Sequence, residues 1–270
     1  MIGQIKIRRQ LNEIKSLDEL PKSIIICGGK GMGKHTFAQE ISNKFGVPFN
    51  IIDEKLTGED INDMFNLGTV NFYLIDFNKV IANKRSNEFQ NTLLKFIEEP
   101  PAFAWIVILV EDLDYLLETV RNRCQIFKLM PYSINELSQI AEVNDIKLDA
   151  ETLSLLSTPG NIVSGLTKEY VEGLTNLSLT VMNNIGSSTP SNTLTITNLF
   201  MGDNAQYDLD LFLMVFCRTL MQKCFSAEDN TKYFNAFQLT KGLQKDFRIM
   251  NVNRQDLLER YLLRLKGELQ

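Results

Sequence analysis

Apolar runs rich in β-branched residues recur through the first half of the chain, at Ser23 to Cys27, Phe49 to Ile52, Phe72 to Asp76, Trp105 to Val110 and Gln125 to Leu129. Between them the apolar positions take helical spacing, at Lys34 to Phe45, Glu59 to Phe65, Asn87 to Glu98 and Leu113 to Thr119. A short continuous apolar run suits a strand buried on both faces, whereas spacings of three and four suit a helix with one apolar face. Strands alternating with helices of this length predict right-handed βαβ crossovers, hence a doubly wound α/β domain with a parallel sheet over residues 1–131.

Beyond Pro131 the strand signal fades. Ile134 to Glu142 and Ala150 to Ser157 read as short amphipathic helices with acidic residues near their starts, which predicts a small helical domain over residues 132–185. Ile185 to Asn192 is rich in Gly, Ser, Thr and Pro and reads as a linker or exposed loop. A last helical block is expected over residues 193–270, with helices at Asp208 to Phe225, Lys232 to Phe247 and Arg254 to Leu269. In the first of these Leu209, Phe212, Leu213, Phe216 and Leu220 share one face, and burial against neighbouring helices of the same chain accounts for that stripe without a ligand. No internal repeat of solenoid length is present.

Composition excludes several classes. The chain has 270 residues, 44% hydrophobic and 23% charged, which is ordinary for globular domains large enough to fold without disulfide or metal staples. The longest apolar run, Ala102 to Val110, is far short of the roughly 18 residues of a membrane-spanning helix. The first residues lack the pattern of a signal peptide, so a cytoplasmic protein with reduced cysteines is expected. Cys27, Cys124, Cys217 and Cys224 form no CxxC pair, and with a single histidine they leave no conventional zinc constellation. There are 16 basic against 17 acidic residues before Pro131 and 12 against 16 after it, so any nucleic-acid contact must come from a local patch.

The clearest chemistry lies at Gly28-Gly29-Lys30-Gly31-Met32-Gly33-Lys34, which follows an expected strand and opens an expected helix. Glycines such as Gly28, Gly31 and Gly33 let backbone N–H groups face phosphate oxygens, the helix N-terminus adds positive potential, and Lys34 reaches the terminal phosphates. The next position should carry a hydroxyl for Mg²⁺, but His35 stands there and Thr36 comes one step late, turned away by about 100°. His35 therefore reads as a first-turn helix residue rather than a ligand, because Mg²⁺ prefers oxygen. A second acidic motif, Phe72-Tyr73-Leu74-Ile75-Asp76, ends in a carboxylate able to hold Mg²⁺ through water. Phe77 occupies the place of a glutamate that would polarise attacking water, so feeble or absent hydrolysis is expected at this site.

Four further segments are distinctive: Ile2-Gly3-Gln4, Leu20-Pro21, Leu93-Leu94-Lys95-Phe96-Ile97-Glu98-Glu99-Pro100-Pro101, and Asn122-Arg123-Cys124. With the phosphate loop they resemble the AAA+ subunits of DNA polymerase clamp loaders, most closely the bacterial delta-prime subunits, over about residues 1 to 170. The resemblance implies a P-loop AAA+ domain, a helical lid over residues 132–185 and a helical collar over residues 193–270. It implies ATP, with Mg²⁺ if nucleotide is bound, and places Ile2 and Gln4 near adenine. It makes Arg123 an arginine finger for the neighbouring subunit's ATP, and Lys84 and Arg85 contacts for template phosphates. Implied partners are other clamp-loader subunits, a sliding clamp and primer-template DNA, with no membrane.

The departures from that pattern are as informative. Beside His35 and Phe77, the sensor strand ends Val110-Glu111-Asp112, where active members carry a neutral Asn or Thr. Thr158 to Ser164 resembles the turn before the second sensor, but no arginine follows in the expected place, and the Cys-rich zinc module is missing. Two other readings compete. An active ATPase motor of a loader, including a virus-encoded one, is opposed by Phe77. A P-loop kinase for a small substrate shares only the phosphate loop and leaves Arg123 and the Leu93 to Pro101 segment unexplained.

Overall fold

The computed structural model describes residues 1–52, 68–82, 86–201, 205–227, 230–247 and 253–270. The chain divides into two compact units, one of Met1–Lys147 with Ser157–Ser164, the other of Leu148–Leu156 with Gly165–Gln270. The helices expected to make one small domain over residues 132–185 thus fall on both sides of this division.

In the first unit, strands β1 (Ser23–Cys27), β2 (Phe49–Ile52), β3 (Asn71–Asp76), β4 (Ala104–Val110) and β5 (Gln125–Lys128) form a five-stranded sheet in the order β2-β3-β4-β1-β5. Every pairing is parallel, with Cys27 opposite both Val110 and Lys128, and Asp76 opposite Leu109. The strand expectations are met to within a residue or so at each end.

Alternation along each strand sends side chains into two cores. Ile24, Ile26, Phe72, Leu74, Trp105, Val107 and Leu109 pack with helices α1 (Ile5–Glu13) and α2 (Lys34–Phe45) through Ile7, Leu11, Phe37, Ala38 and Ile41. Ile25, Cys27, Tyr73, Ile75, Ile106, Ile108 and Val110 face the other way, onto α3 (Phe77–Ala82) and α4 (Ser86–Glu98). A sheet covered on both faces explains why its central strands read as unbroken apolar runs. Ile24, Ile25 and Ile26 are fully buried, worth roughly 1.5–3 kcal/mol each. The order is that of a doubly wound α/β domain, with the strands' carboxyl ends forming one edge where ligands bind in such sheets.

Helix α4 stops at Glu98 before Pro100 and Pro101, as the proline pair dictates. Phe89, Gln90, Leu93, Phe96 and Ile97 are its buried residues, with Leu94 at the margin. The stretch expected as one helix from Leu113 to Thr119 is instead a 3₁₀ turn at Leu113–Tyr115 followed by α5 (Glu118–Arg121). Asp112 starts that turn by accepting from the Asp114 N–H, a local bond that competes with helix. Helix α6 (Ile134–Val143) carries a capping box, Ser133 and Glu136 each bonding the other's backbone N–H. The helix expected at Glu59 to Phe65 lies outside the described residues.

The second unit is helical, with helices at Ala150–Leu156, Lys168–Asn184, Pro190–Asn198, Leu209–Ser226, Thr231–Asp246 and Arg254–Glu268. Leu209–Ser226 packs against both Lys168–Asn184 and Thr231–Asp246. Its stripe of Leu209, Phe212, Leu213, Phe216 and Leu220 is buried within the unit, together with Leu258, Leu262 and Leu265. The expected linker at Ile185 to Asn192 is corrected. Ile185–Ser187 forms a 3₁₀ turn and Pro190 begins a helix, since proline at the first helical position has a suitable φ and needs no N–H partner.

Candidate functional site

The loop after β1 lies at the carboxyl edge of the sheet. The Gly28 N–H bonds the Val110 carbonyl at 3.1 Å, fixing the loop's first residue beside the end of β4. Gly31 and Gly33 have φ of 76° and 91°, left-handed values that glycine adopts without steric cost, and Gly33 caps α2 at its start. Lys34 is buried, and its Nζ donates to the Gly28 carbonyl at 2.7 Å and the Gly29 carbonyl at 3.1 Å. Burial lowers the Lys34 pKa, while the negative charges of Glu111 and Asp76 oppose that shift. The ammonium therefore holds its own loop closed, and a phosphate must compete with two carbonyls for it.

At the ends of β3 and β4 a short polar relay is present. Asp76 Oδ1 accepts from the Asn78 N–H at 3.3 Å and from Asn78 Nδ2 at 3.0 Å, and Asn78 Oδ1 accepts from the Glu111 N–H at 3.1 Å. The Asn78 carboxamide thus ties the tips of two neighbouring strands together. Sequence reading passed over this residue; its one signal was an amide two positions beyond a strand-ending aspartate. His35 Nε2 comes to 3.7 Å from Asp76 Oδ2, so this first-turn residue does face the acidic strand end. Thr36 is exposed on the next helical position. Phe77 is fully buried among the residues under α3 and α4, with its ring 6.3 Å from that of Phe89.

Glycines in left-handed conformations, a lysine and a helix start suit the phosphates of a nucleotide. The fit to Mg²⁺ is poor: no hydroxyl follows Lys34, one Asp76 oxygen is taken by Asn78, and the other faces an imidazole. Among the described residues no group of three or more His, Cys, Asp or Glu side chains is arranged to hold a metal ion.

Two remote segments border the loop. The Gln4 carboxamide makes a two-point contact with Met130, donating from Nε2 to its carbonyl at 2.6 Å and accepting from its N–H at 2.8 Å. Tyr132 donates from its hydroxyl to the Met32 carbonyl at 3.1 Å, and Ile2 is half-buried nearby in sequence. This brings the first residues and the segment after β5 to one flank of the phosphate loop. From Pro159–Val163, the Gly160 N–H donates to the Gly31 carbonyl at 2.8 Å. The approach is so close that a Cβ on Gly160 would lie 2.5 Å from Gly31 Cα.

Arg123 belongs to the opposite edge of the sheet. Gln125, the first residue of β5, pairs with Ile24, four residues before Gly28. The start of β5 thus lies roughly 13 Å from the loop along the strand direction, at about 3.3 Å of rise per residue, and Arg123 comes just before that start. Its NH1 donates to the Thr119 carbonyl at 3.0 Å and its NH2 lies 3.2 Å from Glu98 Oε1, with both side chains about half exposed. Burial pushes the neighbouring Cys124 thiol up to about 12. Lys84 and Arg85 lie outside the described residues.

Comparison with known proteins agrees with the motifs. Residues 60–133 match the family described as DNA polymerase III, delta subunit. The chain is 31% identical over 109 residues to the DNA polymerase III gamma subunit of Buchnera aphidicola subsp. Baizongia pistaciae, covering 39% of this chain and 28% of that protein. It is 25% identical over 198 residues to the gamma subunit of Buchnera aphidicola subsp. Schizaphis graminum, covering 60% and 53%. It is 34% identical over 74 residues to the delta-prime subunit of Escherichia coli K12, covering 26% and 22%. The matches thus span about half or less of the length of each of these relatives.

Proposed function

We propose, from this chain's resemblance to clamp-loader subunits of DNA polymerase III, that it works inside such a loader and donates Arg123 to a neighbouring subunit's ATP while itself hydrolysing ATP feebly or not at all. It would assemble with ATPase subunits through its helical second unit, with a sliding clamp and primer-template DNA as the loader's other partners. Its own phosphate loop keeps the groups to hold a nucleotide's phosphates, and Gln4, Ile2 and Tyr132 border the place where the base would lie.

The observation that carries this reading is the separation of Arg123 from its own loop. An exposed guanidinium at the amino edge of the sheet cannot serve a phosphate at the carboxyl edge of the same domain. It faces outward, where a second subunit's nucleotide can meet it, and a planar cation there offsets charge on the migrating phosphoryl group. The buried Phe77 ring supports the lack of hydrolysis, since it can neither orient water nor take a proton.

Arg123→Ala, assembled with the chain's own partner subunits, tests the proposal. Loader ATP turnover and clamp loading should fall, with the served site losing on the order of 10³-fold or more, while assembly and folding are unchanged. Arg123→Lys should rescue poorly, because a flexible ammonium lacks the guanidinium fork. Turnover and loading both intact in Arg123→Ala would overturn the role.

A further inference from the structure

Glu98 is the last residue of α4 and the final acidic position before Glu99 and the proline pair. A carboxylate there stands at the C-terminal end of the helix, where the helix dipole disfavours negative charge. Its partner is Arg123, whose NH2 lies 3.2 Å from Glu98 Oε1. The other end of the same guanidinium donates to the Thr119 carbonyl at 3.0 Å. One anchor comes from the turn preceding Arg123 and the other from a helix 25 positions earlier, so the planar group is held from two directions. A guanidinium has five N–H donors, and two such contacts leave others to face outward.

We propose that Glu98 is a positioning residue for Arg123: it fixes the guanidinium at the rim of the sheet so that its remaining donors meet a neighbouring subunit's phosphate already oriented. This rests on the finger role proposed above for Arg123. A long arginine side chain free in solvent must lose its rotamer freedom each time a phosphate arrives, whereas a tethered one has lost most of it beforehand. Because the pair is half exposed, the tether is of modest strength and yields a graded effect.

The test is a double-mutant cycle in the loader assembled from this chain and its own partner subunits, read by steady-state ATP turnover. Glu98→Ala should lower kcat roughly two- to five-fold, the range an exposed ion pair supports, with KM for ATP unchanged. Glu98→Gln, which keeps an acceptor oxygen, should lose less. In an Arg123→Ala background, Glu98→Ala should cause no further loss. If Arg123→Ala is crippled but Glu98→Ala turns over normally, the positioning role is refuted and the finger stands. If Glu98→Ala costs the same with and without Arg123, Glu98 acts elsewhere and the inference fails. If neither variant affects turnover, the finger reading fails and takes this one with it.

Discussion

Replacing Phe77 with glutamate restores, on paper, the carboxylate that an ATPase of this kind needs; the structure says it should strongly destabilise the first unit instead. Phe77 is fully buried in the cluster that holds Val80, Phe89, Leu93 and Phe96, with its ring 6.3 Å from that of Phe89. Losing the ring costs about 3–5 kcal/mol, as for other buried Phe truncations. A carboxyl left there without a partner adds roughly 1–3 kcal/mol even when neutral. The sum rivals the whole stability of a typical domain, about 5–15 kcal/mol. The variant should also show a characteristic pH slope. Burial raises the folded-state pKa of the new carboxyl above its unfolded value of about 4.3. Between the two values the folded chain keeps a proton that the unfolded chain has released, so stability falls as pH rises, by up to about 1.4 kcal/mol per unit, until the folded group also ionises. Urea unfolding followed by Trp105 fluorescence is a suitable assay, because Trp105 is the sole tryptophan, buried in this unit and bonded through Nε1 to the Leu20 carbonyl at 3.1 Å. Phe77→Leu serves as the control and should lose far less. A Phe77→Glu chain within about 1 kcal/mol of the parent, flat with pH, would show that this side chain escapes the core and would refute the argument.

Other consequences can be checked on the isolated chain. Gly160→Ala should cost roughly 1–3 kcal/mol, because the new methyl meets Gly31 backbone that no rotamer change can move; unchanged hydrogen-exchange protection of the residue 160 amide would contradict this. Cys124, with its thiol pushed up to about 12, should react with iodoacetamide at pH 8 on the order of a thousandfold more slowly than an ordinary exposed thiol. Mass mapping of the labelled peptides would read this, and early modification at Cys124 would show the thiol to be accessible and ionised.

What the sequence determined by itself is whatever adjacent residues encode. The strands, α2 over Lys34–Phe45 and the phosphate loop follow from apolar runs, helical spacing and glycines within a dozen residues. The stop of α4 follows from two prolines that cannot donate to the helix ladder. The local signal misled at Ile185 to Asn192, where small polar residues suggested a loop, yet Pro190 starts a helix. Tertiary structure alone decided which distant groups meet. Parallel crossovers bring β3 and β4 side by side, and only then can Asn78 bond the Glu111 N–H. The same folding carries Gln4 to Met130 and Gly160 to Gly31, and sets His35 against Asp76. Phe77 was legible as a missing carboxylate, but its place in a packed core was not, because burial depends on what α4 brings to the same face. The pairing of Arg123 with Glu98 is of this kind too: each residue stood in a recognisable motif, and only the sheet's geometry put the end of one beside the other at the edge away from the loop.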